Sequence, residues 1–134
     1  MAHNSTKKSF RNIGIRQIIS YRLPWAGKVS ILHRVSGLML FLALPFLLYI
    51  FDLSISSEIS FAKFQSIFQL TSIKLIILAL IWGYLHHFCA GIRFLLLDIH
   101  KGIEKHQIQK SAVSVLVLSL SMTAICAIKL FGLF

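Results

Sequence analysis

Carboxylates are scarce in this chain: four Asp or Glu stand against fourteen Lys or Arg, a formal charge of +10 over 134 residues. Such an imbalance suits nucleic acid or an anionic membrane surface. The basic residues cluster in flanks and loops around apolar blocks, and they form no groove with interleaved aromatics. No nucleic-acid partner is expected, and membrane lipid is. Cysteine is nearly absent too. Cys89 and Cys126 both lie inside apolar segments and outside any CxxC pair. This excludes a disulfide framework and a thiolate metal site, and the lack of CxxCH excludes thioether-linked haem. A dinucleotide fingerprint, the cysteine array of an iron–sulfur cluster and a soluble domain able to hold a flavin are also missing. The stretch Met1–Lys28 is polar and basic with no early apolar core, so no cleaved secretory signal is expected. Its basic start resembles a mitochondrial transit peptide only weakly.

What the chain has is apolar length. It is 57% hydrophobic, with a mean hydropathy of +0.80. A soluble domain this small could not hide that surface, so the bilayer is its natural solvent. Three apolar blocks run over about residues 30–51, 74–97 and 111–131. Each is long enough to cross a ~30 Å hydrocarbon core at 1.5 Å rise per residue. The expected fold is an all-α integral membrane protein with three transmembrane helices. Residues 1–29 form a basic cytoplasmic segment and residues 30–134 the membrane domain. Pro45 falls inside the first block and implies at most a kink. In the Ser-rich stretch Leu53–Ser72, Phe61, Phe64, Ile67 and Phe68 follow helical spacing, which predicts a short interfacial helix.

Lys and Arg counts set the orientation. Lys7, Lys8, Arg11, Arg16, Arg22 and Lys28 precede the first span, and Lys101, Lys105 and Lys110 lie between the second and third. The other side holds Lys63, Lys74 and Lys129. The excess predicts a cytoplasmic N-terminus (or a matrix one) and an outward C-terminus. Ser30, His33 and Arg34 then fall in the first turns of the first span. Arg93 lies about 7–8 Å, and His87 about 16 Å, from the inner end of the second at Asp98.

Ionisable groups inside a bilayer are costly and usually face a partner, cavity or cofactor. His86 and His87 are adjacent, so they point about 100° apart and cannot address one metal. His87 shares a stripe with Ala90, Gly91 and Phe94, whose small members leave room for a flat macrocycle. A neutral imidazole is the usual axial ligand of b-type haem; the alternative is a hydrogen bond to a neighbouring helix. His86 reads as a packing or supporting residue. Ser30 and Arg34 stand at i and i+4 on one face, where a hydroxyl and a guanidinium suit a quinone carbonyl or a haem propionate. His33 could serve a propionate or proton delivery. Against this stands plain interfacial snorkelling of Arg34. Arg93 and Asp98 could pair with head groups, propionates or each other.

SILHRVSG (Ser30–Gly37) followed by HHFCAGIRFLLLD (His86–Asp98), with YRLP (Tyr21–Pro24) ahead, resembles the cytochrome b membrane-anchor subunit of succinate dehydrogenase, respiratory complex II. The similarity runs from about Tyr21 to the last helix. It implies a chain that binds haem b together with a second small membrane-anchor subunit. Such a chain anchors the iron–sulfur and flavoprotein subunits and helps form the ubiquinone-reduction site, without oxidising succinate itself. By the resemblance His87 is the axial ligand of the haem iron, Ser30 and Arg34 belong to the quinone site, and His33 lies near the haem propionates. Arg34 and Arg93 are further propionate candidates by their charge. The match departs at Phe94, where the family often carries histidine. The implied location is a bacterial inner membrane, ahead of a mitochondrial one. Two other classes share these features: a fumarate reductase anchor or stand-alone haem-b carrier, and a small non-redox membrane accessory protein with structural histidines.

Overall fold

The computed structural model describes residues 14–132, helices joined by short turns and irregular segments. The first part of the basic N-terminal segment, with Lys7, Lys8 and Arg11, lies outside them. A short helix α1 (Ile15–Ser20) precedes three long ones: α2 (Trp25–Ile55), α4 (Thr71–Asp98) and α5 (Lys105–Leu130), with α3 (Glu58–Gln69) between α2 and α4. The three long helices have 31, 28 and 26 residues and are apolar enough to cross a membrane. At 1.5 Å per residue they measure about 46, 42 and 39 Å, more than a ~30 Å hydrocarbon core needs. The chain is thus an all-α, multi-pass membrane protein.

Each long helix overruns the apolar block that predicts it. Hydropathy sees only the hydrocarbon-facing part, whereas the backbone keeps its helical hydrogen bonds into the polar interface. Pro24 caps the start of α2, and its fixed φ of −65° and missing N–H suit a helix entrance. Lys28 N then donates to the Pro24 carbonyl at 3.1 Å. α5 begins six residues before its apolar block, with a polar turn. Gln109 in that turn accepts from Ala26 N at 3.4 Å, satisfying one of the orphan donors at the start of α2. The starts of α2 and α5 therefore meet on one side of the bundle. α4 runs the opposite way and ends there in a Schellman turn. His100 adopts φ 60°, His100 N donates to Leu97 O at 2.9 Å, and Lys101 N donates to Leu96 O at 3.0 Å. Pro45 sits within α2 without ending it.

The predicted interfacial helix is α3. Ser57 caps it, accepting from Ser60 N at 3.1 Å. Phe64 packs against Phe68 with ring centroids 4.3 Å apart and planes tilted by 36°.

The buried faces carry small or polar side chains. α4 buries Gly83, His86, Ala90 and Arg93; α5 buries Ala112, Val115, Ser119 and Thr123. Val29 of α2 joins Ala90, Ala112 and Val115 in one cluster that ties the three helices together. Large apolar residues point outward, with Phe41 71% exposed and Leu42, Phe51 and Val117 similarly placed. That pattern suits lipid as solvent: association rests on close approach of small residues, because lipid tails already satisfy Leu and Phe.

Candidate functional site

The polar residues of α2 and α4 meet where the helices cross. His33 and His87 stack in parallel, ring centroids 4.1 Å apart and planes 7° from coplanar. His87 Nδ1 lies 3.0 Å from the His33 main-chain carbonyl and 3.4 Å from Ser36 Oγ. The Ser36 hydroxyl spends its own proton on that same carbonyl, at 2.9 Å. Both partners of Nδ1 therefore present lone pairs, and only an Nδ1–H tautomer satisfies them. The Nε2 lone pair of a neutral His87 is then left for a ligand, which is how a second hydrogen bond commonly orients a metal-binding imidazole.

Glycine makes the seat for this ring. A Cβ built on Gly37 would stand 2.8 Å from His87 Cε1 and 3.3 Å from Nδ1, so any side chain there collides with the imidazole. Across the stack, a Cβ on Gly91 would touch His33 Nε2 at 3.7 Å. Phe94 closes one end, edge-on to His33 at 5.1 Å. Among the described residues no three His, Cys, Asp or Glu side chains gather as a metal cage. A haem asks for less, because its porphyrin supplies the equatorial ligands and the protein only an axial one. The oriented imidazole and the cleared seat fit that requirement.

Ser30, His33, Arg34 and Gly37 stand at i, i+3, i+4 and i+7, one stripe along α2. Ser30 and His33 are half-buried and Arg34 is exposed. Because α2 begins at Trp25, Ser30 is already in its second turn and Arg34 a turn further in, deeper along the helix than the apolar block implies. Neither Ser30 nor Arg34 bonds to another side chain among the described residues, so their polar groups remain available to a ligand or partner.

Arg93 makes no hydrogen bond to this cluster, although its guanidinium lies 5.3 Å from the Phe94 ring. It turns to α5, where Nε donates to Ser111 Oγ at 3.0 Å and Nη2 to the Ile108 carbonyl at 3.1 Å. His86 is 0% exposed, stacks near Trp82 at 5.4 Å, and neither ring nitrogen has a hydrogen-bond partner. Its ring is enclosed by the bundle. Asp98 is an exposed residue at the end of α4.

Two residues of the site escape a reading of the sequence by residue type, Ser36 and Gly37. The signal was spacing: they stand three and four residues after His33, so one turn of helix brings them onto its side.

The family model for the succinate dehydrogenase/fumarate reductase transmembrane subunit matches residues 13–126. A succinate dehydrogenase cytochrome b556 subunit of Rickettsia bellii is 32% identical over 103 residues, covering 77% of this chain and 80% of the relative. Its counterpart in Rickettsia felis is 30% identical over the same length and the same shares. That of Coxiella burnetii is 31% identical over 83 residues, 61% of this chain and 66% of the relative.

Proposed function

This chain belongs to the succinate dehydrogenase/fumarate reductase transmembrane subunit family, and on that premise we propose that it is the haem-b-binding anchor of a succinate:quinone oxidoreductase. In this reading it sits in a bacterial inner membrane with its N-terminus in the cytoplasm. It holds the iron–sulfur and flavoprotein subunits to the bilayer and pairs with a second small anchor subunit. The cytochrome b556 name of its relatives supports a haem.

The observation that carries the proposal is the state of His87. The His33 carbonyl accepts from its Nδ1, with the Ser36 hydroxyl beside it, so His87 would hold the haem iron through Nε2. A second ligand would come from the partner anchor subunit, since the His33 ring stacks on His87 and His86 is enclosed. When bound, the haem supplies a one-electron centre within the membrane. His33 and Arg34 would meet its propionates. Arg93 is left out of that set because its guanidinium faces α5.

Ser30 and Arg34 contribute to the quinone pocket. A hydroxyl and a planar guanidinium on one helical stripe can donate to quinone oxygens and stabilise the negative charge that builds on them during reduction. The pocket lies on the side of the bundle where α2 and α5 start and α4 ends, which the basic flanks put toward the cytoplasm. The iron–sulfur partner docks on that face, so the electron path is short, and protons arrive from cytoplasmic water. The hydrocarbon admits the isoprenoid tail sideways.

The test is purification of the full chain in mild detergent from its own membrane, with co-purifying subunits identified by mass and a reduced-minus-oxidised spectrum recorded. The proposal expects three partners and a low-spin b-type spectrum. Isolation without flavoprotein and iron–sulfur subunits, or a featureless spectrum, would overturn it.

A further inference from the structure

Arg93 is a buried cation in a membrane helix, 5% exposed, and both of its hydrogen-bond partners are neutral. Ser111 Oγ and the Ile108 carbonyl accept from it, and Ser111 gives its own proton to the same carbonyl at 3.1 Å. All four acidic side chains of the chain, Asp52, Glu58, Asp98 and Glu104, lie within the described residues, and none pairs with it. A guanidinium at this depth without a counter-ion is costly, and such residues usually face an anion or a polar cavity. Arg93 faces a cavity. It has a volume of about 390 Å³ between α4 and α5, with Arg93, Lys101 and Ser111 at its polar end and Cys89, Ile92 and Leu96 along its apolar side.

We propose that this cavity binds the head group of an anionic phospholipid, its phosphate meeting Arg93 and Lys101 and its acyl chain lying along Ile92 and Leu96. The lining is amphiphilic in the sense a lipid requires, cationic at one end and hydrocarbon below. Ile92 and Leu96 are themselves exposed on the outer surface of the bundle, so the cavity opens sideways to the bilayer. The depth also fits. Arg93 lies five residues from the end of α4, about 7–8 Å along the helix. The left-handed residues His100 and Gly102 flank Lys101 and turn the chain back at the cavity mouth. Basic pockets between transmembrane helices are well suited to anionic head groups. A haem propionate is a poorer occupant, because no residue of α2 lines this cavity while the His33–His87 stack lies between α2 and α4. The inference stands apart from the roles of His87 and Ser30.

The experiment uses the full chain with its co-purifying subunits, stripped of lipid in detergent. Phosphatidylglycerol, phosphatidylcholine and inorganic phosphate are then added separately, and lipid retention is read by native mass spectrometry alongside the melting temperature. Phosphatidylglycerol is expected to stay bound and raise the melting temperature by several degrees, with little effect from the other two. Lys101→Ala removes an exposed charge, and Ser114→Trp fills the cavity from an exposed position. Each should weaken phosphatidylglycerol binding by about tenfold or more and leave the haem spectrum unchanged. Arg93→Lys keeps the charge but loses the planar fork, and should weaken binding to a smaller extent. Equal binding of the two lipids would overturn the proposal. So would inorganic phosphate acting as well as the lipid, or unchanged lipid binding in both Lys101→Ala and Ser114→Trp.

Discussion

His33 holds His87 in two ways at once: its ring stacks on the imidazole at 4.1 Å, and its main-chain carbonyl takes the Nδ1 proton at 3.0 Å. Stacking covers one face of the ring and the hydrogen bond occupies one edge, so the Nε2 edge is the part left for a ligand. The carbonyl contact belongs to the backbone, so no substitution at position 33 removes the acceptor. A side-chain change there removes the stack and leaves the carbonyl contact in place.

The proposed haem ligation can be tested on this geometry. His87→Ala is expected to abolish the low-spin b-type spectrum or convert it to high spin, because the axial imidazole is lost. His86→Ala should keep the spectrum, since that ring is enclosed against Trp82 and offers no open edge. Optical and electron paramagnetic resonance spectra of the two variants decide the matter. Loss in His86→Ala with retention in His87→Ala would reassign the ligand.

Glycine 37 gives a sharper test, because it touches no ligand. In most helices Gly→Ala gains about 0.5–1 kcal/mol of helix propensity. Here the new methyl would meet His87 Cε1 at 2.8 Å, and the ring is pinned by the stack and the carbonyl. Overpacking of this kind costs about 1–3 kcal/mol, enough to cancel the gain and displace the imidazole. Gly37→Ala should therefore lower haem content or shift the spectrum while the chain still inserts. Gly83→Ala is the matched control. Its Cβ would collide only with Cε of Met39, the far end of a flexible side chain, so haem should survive. Equal haem content in both variants would show that Gly37 is not the seat.

Much of this arrangement was legible in the sequence, and what was not has a physical reason. Apolar length identified the three spans, and the spacing of Phe61, Phe64, Ile67 and Phe68 identified α3. The helix ends were missed because Lys105 to Lys110 and Trp25 to Val29 stay helical beyond the hydrocarbon that hydropathy detects. The i, i+4 spacing of Ser30 and Arg34 puts them on one stripe, but continuing that stripe to Gly37 needs a reason to value a missing side chain. Only the collision with His87 supplies it. Arg93 was placed by depth alone. Depth ignores rotation: six residues after His87 it lies about 240° around the helix, toward α5 and away from the histidine stack.

Topology is open to direct measurement. The nine-to-three excess of Lys and Arg on one side predicts that reporters fused after Lys63 and Phe134 read outside and one after Lys105 reads inside. The contact between Ala26 N and Gln109 Oε1 puts the starts of α2 and α5 on a common side, so the three readouts must agree. A cytoplasmic signal at Lys63 would invert the assignment and move the quinone pocket to the other face.

Quinone reduction is the last expectation, and it separates a site from an anchor. Ser30 and Arg34 share the stripe that carries His33 and Gly37, and neither spends its polar atoms within the described chain. If Ser30 donates to a quinone oxygen, Ser30→Ala forfeits roughly 1–3 kcal/mol of binding or transition-state stabilisation, about a tenfold or larger fall in quinone-dependent turnover. Arg34→Lys preserves the charge and loses the planar fork, so it should impair turnover as well. An Arg34 that only snorkels to the interface would be replaced by Lys nearly without loss. Succinate oxidation with an artificial acceptor, measured on the same assembled complexes, should be unaffected in both variants, because that chemistry belongs to the peripheral subunits. The haem spectrum should also persist in Ser30→Ala, whose hydroxyl does not touch His87. Normal quinone kinetics in both variants, with the spectrum intact, would remove this stripe from the quinone site.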